Sequence, residues 1–184
     1  MALKATIYKA DLAISDMDRG YYASHNLTLA QHPSETIERM MLRLAVFALH
    51  ADERLHFSKG ISADDEPDLW RKNYGDEVEQ WIELGEPDEK RLRQICGRAE
   101  AVWIYSYGGR AADIWWEGMA GKASRFDHLN IMSVAPDTLA ELATLCQRNM
   151  QLTATVQDGA LWFSSEQGSV TVTPQRLYGS GERG

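Results

Sequence analysis

A chain of 184 residues, 44% apolar and 25% charged, has the size and composition of a soluble protein that builds a core without disulfide or metal staples. Its net charge of −8, with no basic run, makes it a poor non-specific binder of nucleic acid, and no apolar stretch approaches the roughly 20 residues of a membrane helix. The opening M-A-L-K-A-T-I-Y-K-A-D carries Lys4, Lys9 and Asp11 where a signal peptide has its apolar centre, so a cytoplasmic protein is expected.

In K-A-T-I-Y-K-A-D-L-A-I-S, Tyr8, Ala10, Leu12 and Ile14 share one face at period two, and after D-M-D-R-G the run Y-Y-A-S-H-N-L-T-L-A returns with Tyr21, Ala23, Leu27 and Leu29. This pattern predicts a β-hairpin. Pro33-Ser34 then opens a helix with Ser34 as N-cap and a buried stripe of Ile37, Met41, Leu44 and Ala48. A short strand near Leu55–Phe57 and the stretch from Asp64 to Lys90 follow.

That stretch is the most informative in the chain. Gly75-Asp76 reads as a two-residue type II′ hairpin turn, and the turn fixes a register: Asn73 faces Val78, Lys72 faces Glu79, Trp70 faces Trp81 and Asp68 faces Glu83. Paired aromatics and opposite charges help a sheet by about 0.2–1 kcal/mol each, whereas two carboxylates directly opposite each other harm it. Either one of them is protonated or a cation sits between them, and a cation is the reading adopted. Residues 35–100 hold sixteen Asp and Glu against ten Lys and Arg, the local acidity a divalent metal requires and also that of a solvated acidic surface.

Pro87 at a first helical position opens a second helix lined by Leu92, Ile95, Cys96 and Ala99, and Ala101–Tyr105 is apolar on both faces like a central strand. With strand 78–84 these make a βαβ unit. Gly108-Gly109 leads into a helix around Ala111–Met119. Exposed N–H groups there would suit an anion, although a tight strand-to-helix connection explains the glycines more simply. A strand near Leu129–Val134, a helix over about 136–148 and an antiparallel meander turning at Asp158-Gly159 and near Gly168 complete the pattern. Trp115-Trp116 reads as core, and Cys96 and Cys146, on apolar helix stripes, read as buried free thiols. The five His lack metal-ligand spacing, and no serine-nucleophile or phosphate-loop motif is present. Residues 1–178 are expected to form one α+β domain, with 179–184 a flexible tail.

The order αβββαβ over residues 35–107, with E-P-D-L-W on one strand and W-I-E-L-G on the next, resembles the core of the PD-(D/E)xK nuclease superfamily. The blocks E-L-G-E-P-D-E-K-R-L-R, R-A-E-A-V-W-I-Y-S-Y, H-P-S-E-T-I-E-R-M-M-L-R-L, I-W-W and L-T-A-T-V-Q-D-G are similar to the YaeQ family over nearly the whole chain. The resemblance implies an α+β fold with a nuclease-like αβββαβ core and mixed sheet, extended by an N-terminal β-hairpin and a C-terminal antiparallel meander. It further implies Asp68 and Glu83 as ligands of Mg2+ or Mn2+, with Glu38 as the helical acid that joins them.

One position departs from the superfamily pattern: two residues after Glu83, where a lysine is expected, stands Gly85. Lys90, about one turn into the next helix, is long enough to reach back toward the strand end, or is simply a solvated helix residue. The leading expectation is a Mg2+- or Mn2+-dependent phosphodiesterase of nuclease type. Asp68, Glu83, Glu38 and the carbonyl of Leu84 would hold the ion, and Lys90 would orient water. Nucleic acid would be its partner, reached through Arg39, Arg43, Arg91, Arg93 and Arg98; no membrane partner is expected. The alternative is a non-catalytic descendant of the fold that acts as a binding or regulatory module, which the missing lysine and the absence of a basic run favour.

Overall fold

Alternating apolar and polar residues build one sheet of this molecule and strands buried on both faces run through the centre of a second, each sheet with its own helices. The structure, a computed structural model, describes residues 4–184, the side chain of Ser62 excepted. In chain order the elements are β1 (Thr6–Asp16), β2 (Tyr21–Gln31), α1 (Ile37–His50), β3 (Leu55–Phe57), β4 (Leu69–Lys72), β5 (Val78–Leu84), α2 (Glu89–Cys96) and β6 (Ala99–Ser106). After these come α3 (Arg110–Ala123), β7 (Leu129–Ser133), α4 (Pro136–Ala143), β8 (Asn149–Gln157), β9 (Ala160–Ser165), β10 (Gly168–Val172) and β11 (Gln175–Tyr178). The fold is mixed α/β, and its residues fall into two compact units.

The first unit comprises the described part of Met1–Ala51, with Asp137–Thr173 and Arg183–Gly184. The expected N-terminal hairpin pairs from Thr6↔Gln31 to Asp16↔Tyr21, with Tyr8, Ala10, Leu12 and Ile14 buried. The meander β8–β9–β10 forms as read, yet β8 lies parallel to β1, from Lys9↔Asn149 to Asp16↔Val156. The hairpin and the meander therefore make a five-stranded sheet of their own, ordered β10-β9-β8-β1-β2, and do not extend the other sheet. Helix α1 packs on its inner face against β1, β2 and β9. Its cap is Thr36, not Ser34: the Thr36 hydroxyl accepts the Arg39 N–H at 3.1 Å. Residues 32–35 turn first, with the Glu35 N–H on the His32 carbonyl at 2.8 Å, which leaves Ser34 outside the helix. Helix α4 stops at Ala143, short of the expected 148, because residues 144–146 tighten into bonds to carbonyls three residues back. Cys146 thus lies beyond the helix and is half-buried, while Cys96 is buried at the end of α2, and both thiols are free.

The second unit, Asp52–Pro136 with Pro174–Glu182, holds a six-stranded sheet of order β11-β7-β6-β5-β4-β3. Strands β3, β4 and β5 run antiparallel, and β5, β6 and β7 run parallel, joined by α2 and then α3 as successive βαβ crossovers. The order α1-β3-β4-β5-α2-β6 is the αβββαβ order read from the sequence. One face of the sheet packs Trp81, Val102, Ile104 and Ile131 against Leu92, Ile95, Met119 and Ala123 of α2 and α3, with Trp115 and Trp116 half-buried beside them. Strand β11, which the sequence pattern does not announce, joins β7 antiparallel.

The β4–β5 turn differs from the two-residue reading. Trp70 faces Trp81 as expected, but a bulge after Arg71 sets Lys72 opposite Val78, so the expected pairs Lys72–Glu79 and Asn73–Val78 do not form. The Asn73 side chain causes this: its Oδ1 accepts the N–H groups of Gly75 and Glu77 at 2.8 and 3.0 Å, building a longer loop with Asp76 at φ 67°.

Residues 179–184, expected as a loose tail, carry no helix or strand but make specific bonds. The Gly181 N–H meets Asn130 Oδ1 at 2.8 Å, and Arg183 pairs with Asp16 at 2.9 Å and Asp18 at 3.1 Å. Among the described residues no helix is long and apolar enough to cross a membrane.

Asp16, fully buried at the end of β1, also accepts Arg19 Nε at 2.7 Å. Burial pushes its carboxyl up, but the bonds from Arg19 and Arg183 outweigh that and hold it below the ordinary carboxylate value. The linked stability is present above the ordinary pKa and is lost as pH falls through the depressed one. Asp16→Asn will therefore flatten the acid limb of a urea-denaturation series between about pH 5 and pH 2. Arg183→Ala, which leaves Arg19 in place, will cost about 1–3 kcal/mol at neutral pH.

Candidate functional site

Asp68 precedes β4 and Glu83 lies in β5, and the paired strands set them opposite each other. Leu69 faces Ile82, and the Asp68 N–H donates to the Ile82 carbonyl at 3.1 Å, which carries the register one residue past the strand. Both acids are buried, at 2% and 9% exposure. Asp68 Oδ2 accepts the Leu84 N–H at 2.8 Å, so this carboxylate ties the end of β5 to the start of β4. Its other oxygen lies against Gly60: a Cβ there would sit 2.8 Å from Asp68 Oδ1, and the φ of +50° adds strain for any side chain.

A guanidinium meets Glu83 in this structure. Arg91 in α2 donates from Nη2 to Glu83 Oε1 at 2.8 Å and from Nε to Glu83 Oε2 at 3.2 Å, and Oε1 also accepts the Trp81 indole N–H at 3.1 Å. The same guanidinium bonds the carbonyl of Asp64 through Nη1 and that of Glu66 at 3.4 Å, fastening the loop before Asp68. The Glu83 carboxylate, with Asp64 and Asp68 nearby, holds Arg91 above its ordinary pKa. A bidentate fork of this kind is the strong form of ion pair.

The start of α2 puts Arg91 there. Pro87 is not the first helical residue: Asp88 is the N-cap, its Oδ1 accepting the Arg91 N–H at 2.7 Å, and the helix begins at Glu89. With the helix starting two residues later than expected, Arg91 reaches β5 while Lys90 is exposed. The sequence placed Arg91 among the groove arginines and not beside Glu83; the signal for that pairing was a cationic residue at the third position of a helix whose cap is Asp88. Glu38 lies in the first turn of α1, in the other unit, and Leu84 meets Asp68 through its N–H. Among the described residues no group of three or more His, Cys, Asp or Glu side chains could hold a metal ion.

The arginines expected to line a groove are committed elsewhere. Arg39 and Arg43 each reach Glu35 at 2.7 Å, Arg93 reaches Glu89 at 3.1 Å, and Arg98 stacks over the Trp81 ring at 4.9 Å while bonding the Asp65 carbonyl. The candidate anion position at Gly108-Gly109 receives the chain's own carboxylate. Glu86 Oε1 accepts the N–H groups of Gly108 and Tyr107 at 2.7 and 3.2 Å and the Ser106 hydroxyl at 3.1 Å.

Breaking the Glu83–Arg91 pair strands a buried acid. Arg91→Met will lower stability by about 1–3 kcal/mol, between the values for exposed and buried pairs. Adding Glu83→Gln to that variant will cost less than it does in the native chain, a coupling of about 1–2 kcal/mol in a double-mutant cycle followed by urea denaturation.

The family model described as YaeQ protein matches residues 1–174. The uncharacterized protein YaeQ of Escherichia coli (strain K12) is 45% identical over 172 residues, 94% of this chain and 95% of its own, and that of Salmonella typhi is 46% identical over the same length. The crystal structure of YaeQ protein from Xanthomonas axonopodis pv. citri superposes with a TM-score of 0.93 at 47% identity, covering 96% of this chain and 99% of that one. The crystal structure from Pseudomonas syringae gives 0.91 at 37% identity, covering 98% of each. Matched nearly end to end in sequence and in fold, the chain belongs to the YaeQ family.

Proposed function

We propose that the chain is a non-catalytic relative of the PD-(D/E)xK nucleases that acts as a binding or regulatory module. One observation carries this reading: the Arg91 fork occupies both oxygens of Glu83, where a nuclease would present that carboxylate to its metal. As they stand, these donors do not fit a divalent ion. One acid is neutralised by a guanidinium and an indole N–H, and the other accepts a main-chain N–H. An entering ion must break a largely desolvated, bidentate pair and then lie beside a displaced positive charge. Gly85 at the lysine position and the pairing of the arginines point the same way.

A Mg2+- or Mn2+-dependent phosphodiesterase is the second reading, favoured by the convergence of Asp68 and Glu83 on one edge of β4–β5. In it Arg91 swings away, and Asp68, Glu83 and the Leu84 carbonyl hold the ion that would lower the pKa of bound water, with Lys90 near the water.

Calorimetry and thermal melts with Mn2+ and Mg2+ separate the two. The native chain will show no saturable heat and no metal-dependent rise in Tm. Arg91→Ala, which removes the guanidinium from both oxygens of Glu83, will be stabilised by about 3–6 °C at ten times its Kd for Mn2+. Saturable binding to the native chain, with Mn2+-dependent cleavage of an oligonucleotide that Glu83→Ala abolishes, establishes the phosphodiesterase instead.

A further inference from the structure

The outer face of the five-stranded sheet takes no part in that reading, and its composition calls for its own explanation. In-register partners carry one row straight across it: Tyr22, Ser15, Thr155, Trp162 and Thr171 stand on β2, β1, β8, β9 and β10 in turn. Residues in register point to the same side of a sheet, so the five side chains form a line. Its aromatic members are exposed, Tyr22 at 64% and Trp162 at 43%, and three strand spacings of roughly 14 Å separate them. Small hydroxyl side chains fill the interval.

Beside this row lies a depression of about 240 Å³ with the small Ala13 among its lining residues, and Asp11, Ser24, Asn26, Gln151 and Thr153 surround it. Gln151 Nε2 donates to Asp11 Oδ2 at 2.8 Å, which orients the amide oxygen and presents a ready acceptor. The charges on the outward-facing strand residues are those of Lys9 and Asp11, which cancel, on a chain whose net charge is −8. A solvated sheet face in so charged a chain would ordinarily carry more of them.

We infer that this face binds an extended, uncharged, β-1,4-linked glycan. Three ligand classes meet the same surface differently. A single-stranded nucleic acid needs a positive track along its backbone as well as stacking rings, and this face has no net charge to offer. A protein partner, a second copy included, favours a desolvated apolar centre, whereas serine and alanine, common here, are depleted in such interfaces. A flat ribbon of sugars matches on each count. The C–H faces of its rings stack on the electron-rich faces of Tyr22 and Trp162, its hydroxyls exchange hydrogen bonds with the hydroxyl and amide groups between, and it brings no charge to neutralise.

The test is titration of the full-length chain with cellohexaose and chitohexaose, read by calorimetry and tryptophan fluorescence. Maltohexaose serves as the curved α-linked control and an oligo-dT as the charged one. A β-1,4-linked hexamer will bind saturably, and Trp162→Ala and Tyr22→Ala will each weaken it roughly tenfold while leaving Tm unchanged, because both rings are exposed. Glu83→Ala will leave this binding intact, so it succeeds or fails independently of the metal question. Absence of binding by both β-linked hexamers overturns the inference, as does binding that survives loss of both rings. Preferential binding of oligo-dT, or self-association that Trp162→Ala abolishes, assigns the face to another partner and overturns it too.

Discussion

Two carboxylates buried side by side at the junction of β4 and β5 would drive the strands apart unless a positive charge lay with them. Arg91 supplies that charge from a neighbouring helix, and in doing so it links three pieces of chain. It holds Glu83 on β5, the carbonyls of Asp64 and Glu66 in the preceding loop, and its own N–H against the Asp88 cap. Asp68 completes the arrangement by gripping the Leu84 N–H. The start of β4, the end of β5 and the angle at which α2 leaves the sheet are therefore set by one ionic cluster. The chemistry open to the site follows from whether that cluster stays closed.

The same economy recurs elsewhere. Arg19 and Arg183 converge on Asp16, Arg39 and Arg43 on Glu35, Arg54 and Arg71 on Glu79, and Arg93 and Arg125 on Glu89. Guanidinium forks suit this role because they satisfy carboxylates bidentately and remain charged at any accessible pH. An acidic chain whose arginines are paired with carboxylates in this way presents little net positive charge to a polyanion.

Local patterns made much of this legible. The period-two runs of β1, β2 and β8 gave the strands and their buried faces, and the facing of Trp70 and Trp81 followed from counting outward from one turn. The count failed nearest the turn, where the Asn73 side chain imposes a longer loop and a bulge that hydrophobic periodicity does not encode. The convergence of Asp68 and Glu83 was readable for the same reason as Trp70 and Trp81; their partner was not. Arg91 stands eight residues from Glu83, and only the exact helix start decides whether it or Lys90 turns inward. The union of hairpin and meander in one sheet was equally hidden, since β1 and β8 are far apart in sequence and parallel pairing leaves no turn to mark it.

That distant pairing bears on how the protein is made. Asp11 and Gln151, joined across β1 and β8, are 140 positions apart, so at translation rates of 5–20 residues per second the first hairpin waits roughly 7–28 s for its neighbour to leave the ribosome. Through that interval one side of β1 offers unsatisfied peptide groups above a greasy underside, an invitation to neighbouring nascent chains. Helix α1, which follows the hairpin directly and packs on β1 and β2, is the first element able to cover that underside before the last third of the polypeptide arrives.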